Sequence, residues 1–206
     1  LVDAKTSMAV VEYAVGSFNI VLRKMAEWFY GLPGDKKAAT KRLQEVIDTG
    51  IFRVSDSLLV MGYLEGWKGE PERAVRCFQR LREMYPRNFM LDICLAVAYE
   101  YAAKDSKSAL EVYRELLRDL PLKAQGIHPA EIHLRMGKNY FKLRDYGLAL
   151  EQFQKALDTE HRVAETQPLA YYYMALVYEK RGEKDKAKEC YRKMLELADS
   201  DVLIKE

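Results

Sequence analysis

Apolar residues recur three and four positions apart along most of the chain, and the recurrence is itself periodic. Ala39, Ala74, Ala109, Ala149 and Ala187 are separated by 35, 35, 40 and 38 residues. Each is followed four residues later by a large apolar group, namely Leu43, Phe78, Tyr113, Phe153 and Tyr191. Three residues further on stand Val46, Leu81, Leu116, Ala156 and Met194. An i, i+4, i+7 stripe is one face of an α-helix, so each alanine marks a helix with one buried side. Upstream of four of these helices a second one is predicted. In it Gly62, Ala96, Gly137 and Ala175 precede the aligned alanine by 12 or 13 residues. Tyr99, Tyr140 and Tyr178 follow three of these small residues at i+3, whereas Glu65 follows the first. Small residues on facing helices allow close approach, so the unit is an antiparallel helix pair and the fold is all-α.

The punctuation between helices fits this unit. Gly34-Asp35, Gly69-Glu70-Pro71, Asp105-Ser106, Asp145 and Gly182-Glu183 each fall just before a second helix, where turn, cap and first-turn chemistry belong. Pro86 and Pro121 follow second helices, and Pro129 and Pro168 stand where first helices begin. The predicted repeats are residues 55–88, 89–123, 129–163 and 167–199. The two longer spacings imply a loop at Leu122 to His128 and an extended helix end near Arg162 to Thr166. In residues 1–50 a long amphipathic segment runs from about Met8 to Tyr30. The turn Gly31-Leu32-Pro33-Gly34 and a helix through Ile47 follow it. This stretch is read as a divergent fifth unit, with an N-terminal helical cap over the first repeat as the alternative. Residues 1–206 together are expected to form a single helical-repeat domain.

The pattern resembles the tetratricopeptide repeat (TPR) family, whose unit of roughly 34 residues is a helix pair with small residues at fixed places. The resemblance covers about residues 55 to 199. It is clearest in Ile132 to Leu157, where Met136-Gly137, Tyr140, Asp145-Tyr146, Ala149, Phe153 and Ala156 come in the family's order. It departs in lacking a tryptophan near the start of the first helices and in placing Glu65 where an aromatic is usual. The resemblance implies a right-handed α-α superhelix, a TPR-like solenoid of antiparallel helix pairs. It also implies a non-catalytic scaffold whose concave groove, lined by the first helix of each repeat, holds a peptide or helix segment.

Composition narrows the alternatives. Lys and Arg number 33 against 31 Asp and Glu, a net charge of +2. No large excess of either sign attracts phosphate or anionic lipid, which disfavours a dedicated nucleic-acid or membrane-surface protein. The basic series Arg73, Arg76, Arg80, Arg82 and Arg87 is the best nucleic-acid candidate. It is interleaved with Glu70, Glu72 and Glu83, so a solvated face is the better reading, and RNA binding ranks last. Glu111 and Glu115 share a helix with Arg114 and Arg118, which reads as ordinary i, i+4 pairing. No apolar stretch approaches the roughly 20 residues of a membrane span. The chain starts at Leu1 with no basic-then-apolar leader after it, as in an excised domain or a processed form. The sequence does not set the compartment; the cytoplasm is slightly favoured over a processed periplasmic form.

No chemistry-bearing motif is found. Cys77, Cys94 and Cys190 are too dispersed for a metal or redox motif and read as small core residues. His128 and His133 are five residues apart, about 140° around a helix, and His161 lies far along the chain. Neither a phosphate loop nor a nucleophile elbow occurs. The expectation is no enzyme, no cofactor and no metal.

The family's groove positions translate into named residues. In the repeat anchored at Gly62 they are Leu59, Tyr63 and Trp67, and in that anchored at Ala96 they are Ile93, Val97 and Tyr101. The third first helix presents Leu134, Lys138 and Lys142, with Arg135 and Phe141 alongside, and the fourth presents Tyr172, Leu176 and Lys180. The groove thus turns from apolar to basic, which fits a protein or peptide partner with an apolar half and an acidic half. The family's carboxylate clamp is not matched, because Leu59 and Tyr63 occupy its lysine and asparagine places. Burial of the apolar triplets would make them core; exposure would make them a binding surface. Self-association through the end units or the apolar groove is the alternative function.

Overall fold

The structure is a computed structural model that describes residues 2–17, 19–31, 34–68, 70–119, 127–159 and 166–203, the side chains of 67–68 and 199–203 excepted. The described residues hold helices and turns without a strand. They divide into two compact units, residues 1–103 and 104–206. The division falls inside the predicted repeat 89–123, between its first and second helices. The loop expected at Leu122 to His128 is described only at Ile127 and His128. The extension near Arg162 to Thr166 is described only at Thr166.

In the first unit, α1 (Lys5–Gly16) packs on α3 (Lys36–Thr49), and α4 (Val54–Lys68) packs on α5 (Pro71–Met84). α6 (Phe89–Val97) continues into a π-helical turn, Ala98–Ala102, that lies against α4 and α5. The aligned alanines show why the pairs close: Ala39 and Ala74 are wholly buried, as are Leu43 and Val46 one and two turns on. Polar contacts hold these helices to one another. Thr6 and Ser57, both buried, share a hydrogen bond of 2.8 Å between α1 and α4. Glu12, also buried, meets Arg42 of α3 at 3.0 Å. Asp3 Oδ1 accepts from the backbone N–H groups of Ile51, Phe52 and Arg53 and ties the N-terminus to the α3–α4 corner.

The continuous segment expected from Met8 to Tyr30 is broken. α1 ends at Gly16, and a separate helix, α2 (Ile20–Tyr30), starts at Asn19, whose side chain accepts from Val21 N and Leu22 N. This is an N-cap, which stops one helix and begins another. α1 and α3 therefore pack as a helix pair, and α2 lies between them in sequence. No residue of α2 is buried.

In the second unit, α7 (Ser106–Asp119) is followed by the pairs α8 (Pro129–Lys142) with α9 (Tyr146–Asp158), and α10 (Thr166–Lys180) with α11 (Lys184–Leu203). α8 has α7, α9 and α10 as neighbours. Asp105 and Asp145 cap α7 and α9 through their carboxylates, as the turn residues predicted. Gly137 of α8 lies flat on the Phe153 ring of α9: a Cβ there would sit 2.4 Å from Phe153 Cε1. Gly62 has the same relation to Phe78 in the first unit, at 2.8 Å. The Gly and aromatic positions of the sequence repeat are thus two sides of one contact.

Candidate functional site

In the first unit, α4 meets α6 through Tyr63 and Cys94, and Tyr101 follows on the π-helical turn. Leu59, Tyr63 and Tyr101 are exposed, Tyr63 by 55% and Tyr101 by 53%, while Ile93 and Val97 are half-buried. Tyr63 is held in place on two sides. Its ring meets Phe78 edge-on at 5.5 Å, and its hydroxyl lies 3.3 Å from Cys94 Sγ on α6. The hydrogen bond to Cys94, helped by partial burial, pushes the phenol up to about 12, so it stays neutral and able to donate at any physiological pH. A fixed aromatic with a free edge loses little rotamer entropy when a ligand covers it. The side chain of Trp67 lies outside the described residues.

The second unit's face differs from the sequence expectation in one respect. Leu134 is buried, because α8 is covered by neighbours on three sides, so this residue is core and not groove surface. Arg135 is half-buried and bonds Glu131 one turn back, at 2.9 Å from Nη2 and 3.1 Å from Nε. Lys142 and Lys180 are exposed, Tyr172 is 38% exposed, and Leu176 is half-buried. Lys138 lies over the ring of Tyr173, 5.3 Å from its centroid. Tyr173 was not singled out from the sequence, yet it organises this face. It stacks on Phe153 at 5.8 Å and also meets Phe141 and Tyr172. The basic half of the expected groove is an aromatic floor with lysines on and beside it.

Glu65, the departure from the family's aromatic, has a local explanation. Its Oε2 accepts from the backbone N–H of Glu70 at the start of α5, and its Oε1 meets Arg73 at 3.3 Å. Arg73 also donates to Gln44 at 2.6 Å. The same residues close one side of a cleft of about 650 Å³, which Lys36, Lys37 and Lys41 of α3 line from the other. Most of the basic series is engaged within the unit. Besides Arg73, Arg80 reaches the Ile47 carbonyl at 3.5 Å and Arg82 pairs with Asp92 at 2.6 Å, while Arg76 and Arg87 are exposed. A row of free cations tracking a phosphate backbone is not formed.

His133 Nδ1 bonds Gln152 Oε1 at 2.9 Å across α8 and α9, and burial pulls its pKa below the ordinary 6.5. His128 is the residue before α8, and His161 lies outside the described residues. Cys77 and Cys190 are buried, and burial pushes both thiols up, away from the reactive thiolate. Among the described residues no three His, Cys, Asp or Glu side chains are grouped to hold a metal ion. None of the described helices is long and apolar enough to cross a membrane.

Three models described as Tetratricopeptide repeat match the chain, at residues 60–124, 130–160 and 168–201. The chain belongs to the tetratricopeptide repeat family. The matched segments coincide with the α4–α7 region and with the α8–α9 and α10–α11 pairs. The α1–α3 pair of this TPR protein lies outside the matched segments. Solved structures of MamA share the fold. One matches 90% of this chain and 98% of its own length at 16% identity, with a TM-score of 0.61. MamA from Desulfovibrio magneticus RS-1 matches over 94% and 96% at 19% identity, with a TM-score of 0.60. These identities speak for the fold alone. No curated protein matches this TPR chain by sequence.

Proposed function

We propose that this TPR protein is a non-catalytic scaffold that binds a peptide or helix segment of a partner protein along the first-helix faces. The observation that carries the reading is the exposure of Leu59, Tyr63 and Tyr101 on one side of the first unit. Large apolar side chains left uncovered on neighbouring helices are what a docked segment would cover, and aromatic anchors of this kind supply most of the binding energy in such grooves. On the second unit, Lys138, Lys142 and Lys180 favour acidic residues in a segment that lies on that unit's own face. RNA is the weaker reading, because Arg73, Arg80 and Arg82 already have partners within the unit.

Affinity capture with the intact chain, beside a Tyr63→Ala/Tyr101→Ala variant, tests the proposal. A specific protein partner should be recovered by the parent and lost with the variant, and salt should weaken the retained part. Equal recovery by both would refute the groove.

A further inference from the structure

α2 is the one described helix without a buried residue, yet most of it is apolar. Val21 is 64% exposed, Leu22 49%, Met25 47%, Trp28 82% and Phe29 62%. With 3.6 residues per turn these five lie within an arc of about 120° centred on Met25. Arg23 and Glu27 point the opposite way, and Lys24 lies at the flank. The helix has an apolar stripe that the first unit leaves uncovered, while its other side mixes Arg23 and Ala26, both half-buried, with exposed Ile20, Glu27 and Tyr30. The five side chains offer on the order of 700 Å², above the few hundred Å² that a monomer ordinarily leaves exposed in one patch.

We propose that α2 docks antiparallel against α2 of a second copy of the chain, about a two-fold axis at Met25. A two-fold interface must be complementary to itself, so its residues must map onto each other when the helix is reversed. Reversal about position 25 does this with all five. Val21 faces the partner's Phe29, Leu22 faces the partner's Trp28, and Met25 faces the partner's Met25. Each aliphatic residue meets a large aromatic, so the volume along the seam stays even from end to end. Two copies contribute roughly 1,400 Å², within the range of a stable specific interface. Arg23 and Glu27 stay on the side away from the seam, so the pairing itself buries no charge.

A lipid surface fits less well. α2 carries two cations against one carboxylate, and the chain as a whole is only +2, so anionic lipid adds little attraction. Insertion of α2 into another copy's first-helix face is a one-way contact, which, unless exchanged reciprocally, generates rings or open chains rather than a closed pair. The inference uses a face apart from the one in the proposed function, so either can fail while the other stands.

The full chain in a Trp67→Phe background leaves Trp28 as its single tryptophan, which makes fluorescence a reporter of α2. Sedimentation equilibrium from low to high micromolar concentration should show monomer and dimer and nothing larger. The emission of Trp28 should move to the blue over the same range. Met25→Asp places two carboxylates at the axis and should raise the dimer Kd by about a hundredfold or more, with unchanged far-UV circular dichroism. Arg23→Gln, on the outer side, should leave the Kd within about threefold, a difference below 1 kcal/mol. A chain that stays monomeric throughout would overturn the proposal, as would a dimer indifferent to Met25→Asp. Species larger than a dimer that vanish with Tyr63→Ala would point instead to insertion into the groove. A blue shift seen only with phosphatidylserine vesicles would assign α2 to a lipid surface. Either result also overturns the two-fold pairing.

Discussion

Replacing Gly137 by alanine tests whether the repeat's small-residue positions are set by contact or by helix preference. On preference alone the change should stabilise α8, because glycine in a helix interior is about 1 kcal/mol worse than alanine. The contact opposes this. The new methyl would sit 2.4 and 2.5 Å from Phe153 Cε1 and Cδ1, where carbon atoms rest comfortably at roughly 3.5–4.0 Å. Phe153 is wholly buried and stacked on Tyr173 at 5.8 Å with an interplanar angle of 19°, so the ring has nowhere to turn. The helices must separate by about 1 Å, and overpacking of this kind costs about 1–3 kcal/mol. The net expectation is a loss of about 1–2 kcal/mol, or several degrees in Tm for a chain of this size. Gly66 and Gly147 are the controls, since their nearest neighbours to an added Cβ are at 3.7 and 3.9 Å. Gly66→Ala and Gly147→Ala should be neutral or stabilising by up to about 1 kcal/mol. Urea unfolding followed by far-UV circular dichroism gives all three values. Pairing Gly137→Ala with Phe153→Leu should remove most of the alanine's cost, a coupling that a purely local effect would not produce. A Gly137→Ala protein at least as stable as the parent would refute the contact reasoning.

Three further outcomes follow from the same geometry. Ala149 is wholly buried between paired helices, so Ala149→Leu should cost about 1–3 kcal/mol in the same unfolding assay, and parent-like stability would contradict the register of α8 and α9. His133 is held below its ordinary 6.5 by burial, opposed by its bond to Gln152. The unfolded chain therefore binds more protons as pH falls through 6.5, and stability should decline from there until the lower folded-state pKa is passed. His133→Asn should flatten that part of the urea-midpoint profile, and an unchanged slope would exclude the histidine as its source. For any captured partner, Lys138→Ala and Lys142→Ala should slow association and reduce its salt dependence, while Tyr63→Ala should act through faster dissociation. Stopped-flow rates at several salt concentrations separate the two effects.

The repeat was legible because its signal is local. An alanine, an aromatic four residues later and an aspartate before the helix suffice to place α7, α9 and their partners. The break between α1 and α2 was not legible, because apolar spacing runs straight through residues 15–25. What decides the break is the Asn19 cap together with a contact between Gly16 and Gly34, which are distant in the chain. Leu134 was misplaced on the surface because a position rule knows one helix, whereas burial depends on how many neighbours that helix has. Tyr173 was missed for the converse reason: it stands beside Tyr172 in a run of three tyrosines, and only the packing of α8 and α9 shows which ring becomes the floor. Glu65 departs from the repeat's aromatic because its carboxylate binds the backbone at the start of α5, a contact that no spacing rule contains.

The α1–α3 pair closes over its own insertion. A Cβ on Gly16 would lie 2.6 Å from the Gly34 carbonyl oxygen, and one on Gly34 would lie 2.8 Å from Gly16 N. The two ends of residues 17–33 therefore touch, and the chain leaves and re-enters the stack at a single point. Such an excursion is detachable. Excising residues 17–33 and rejoining the ends through a short turn should leave the buried Glu12–Arg42 and Thr6–Ser57 contacts in place. It would also remove a loop whose closure costs about 2–3 kcal/mol of chain entropy. The same point can serve as a port. A different helix or hairpin spliced between Gly16 and Gly34 would be displayed on an unaltered scaffold, so what this end of the molecule recognises can change without renegotiating the fold that carries it.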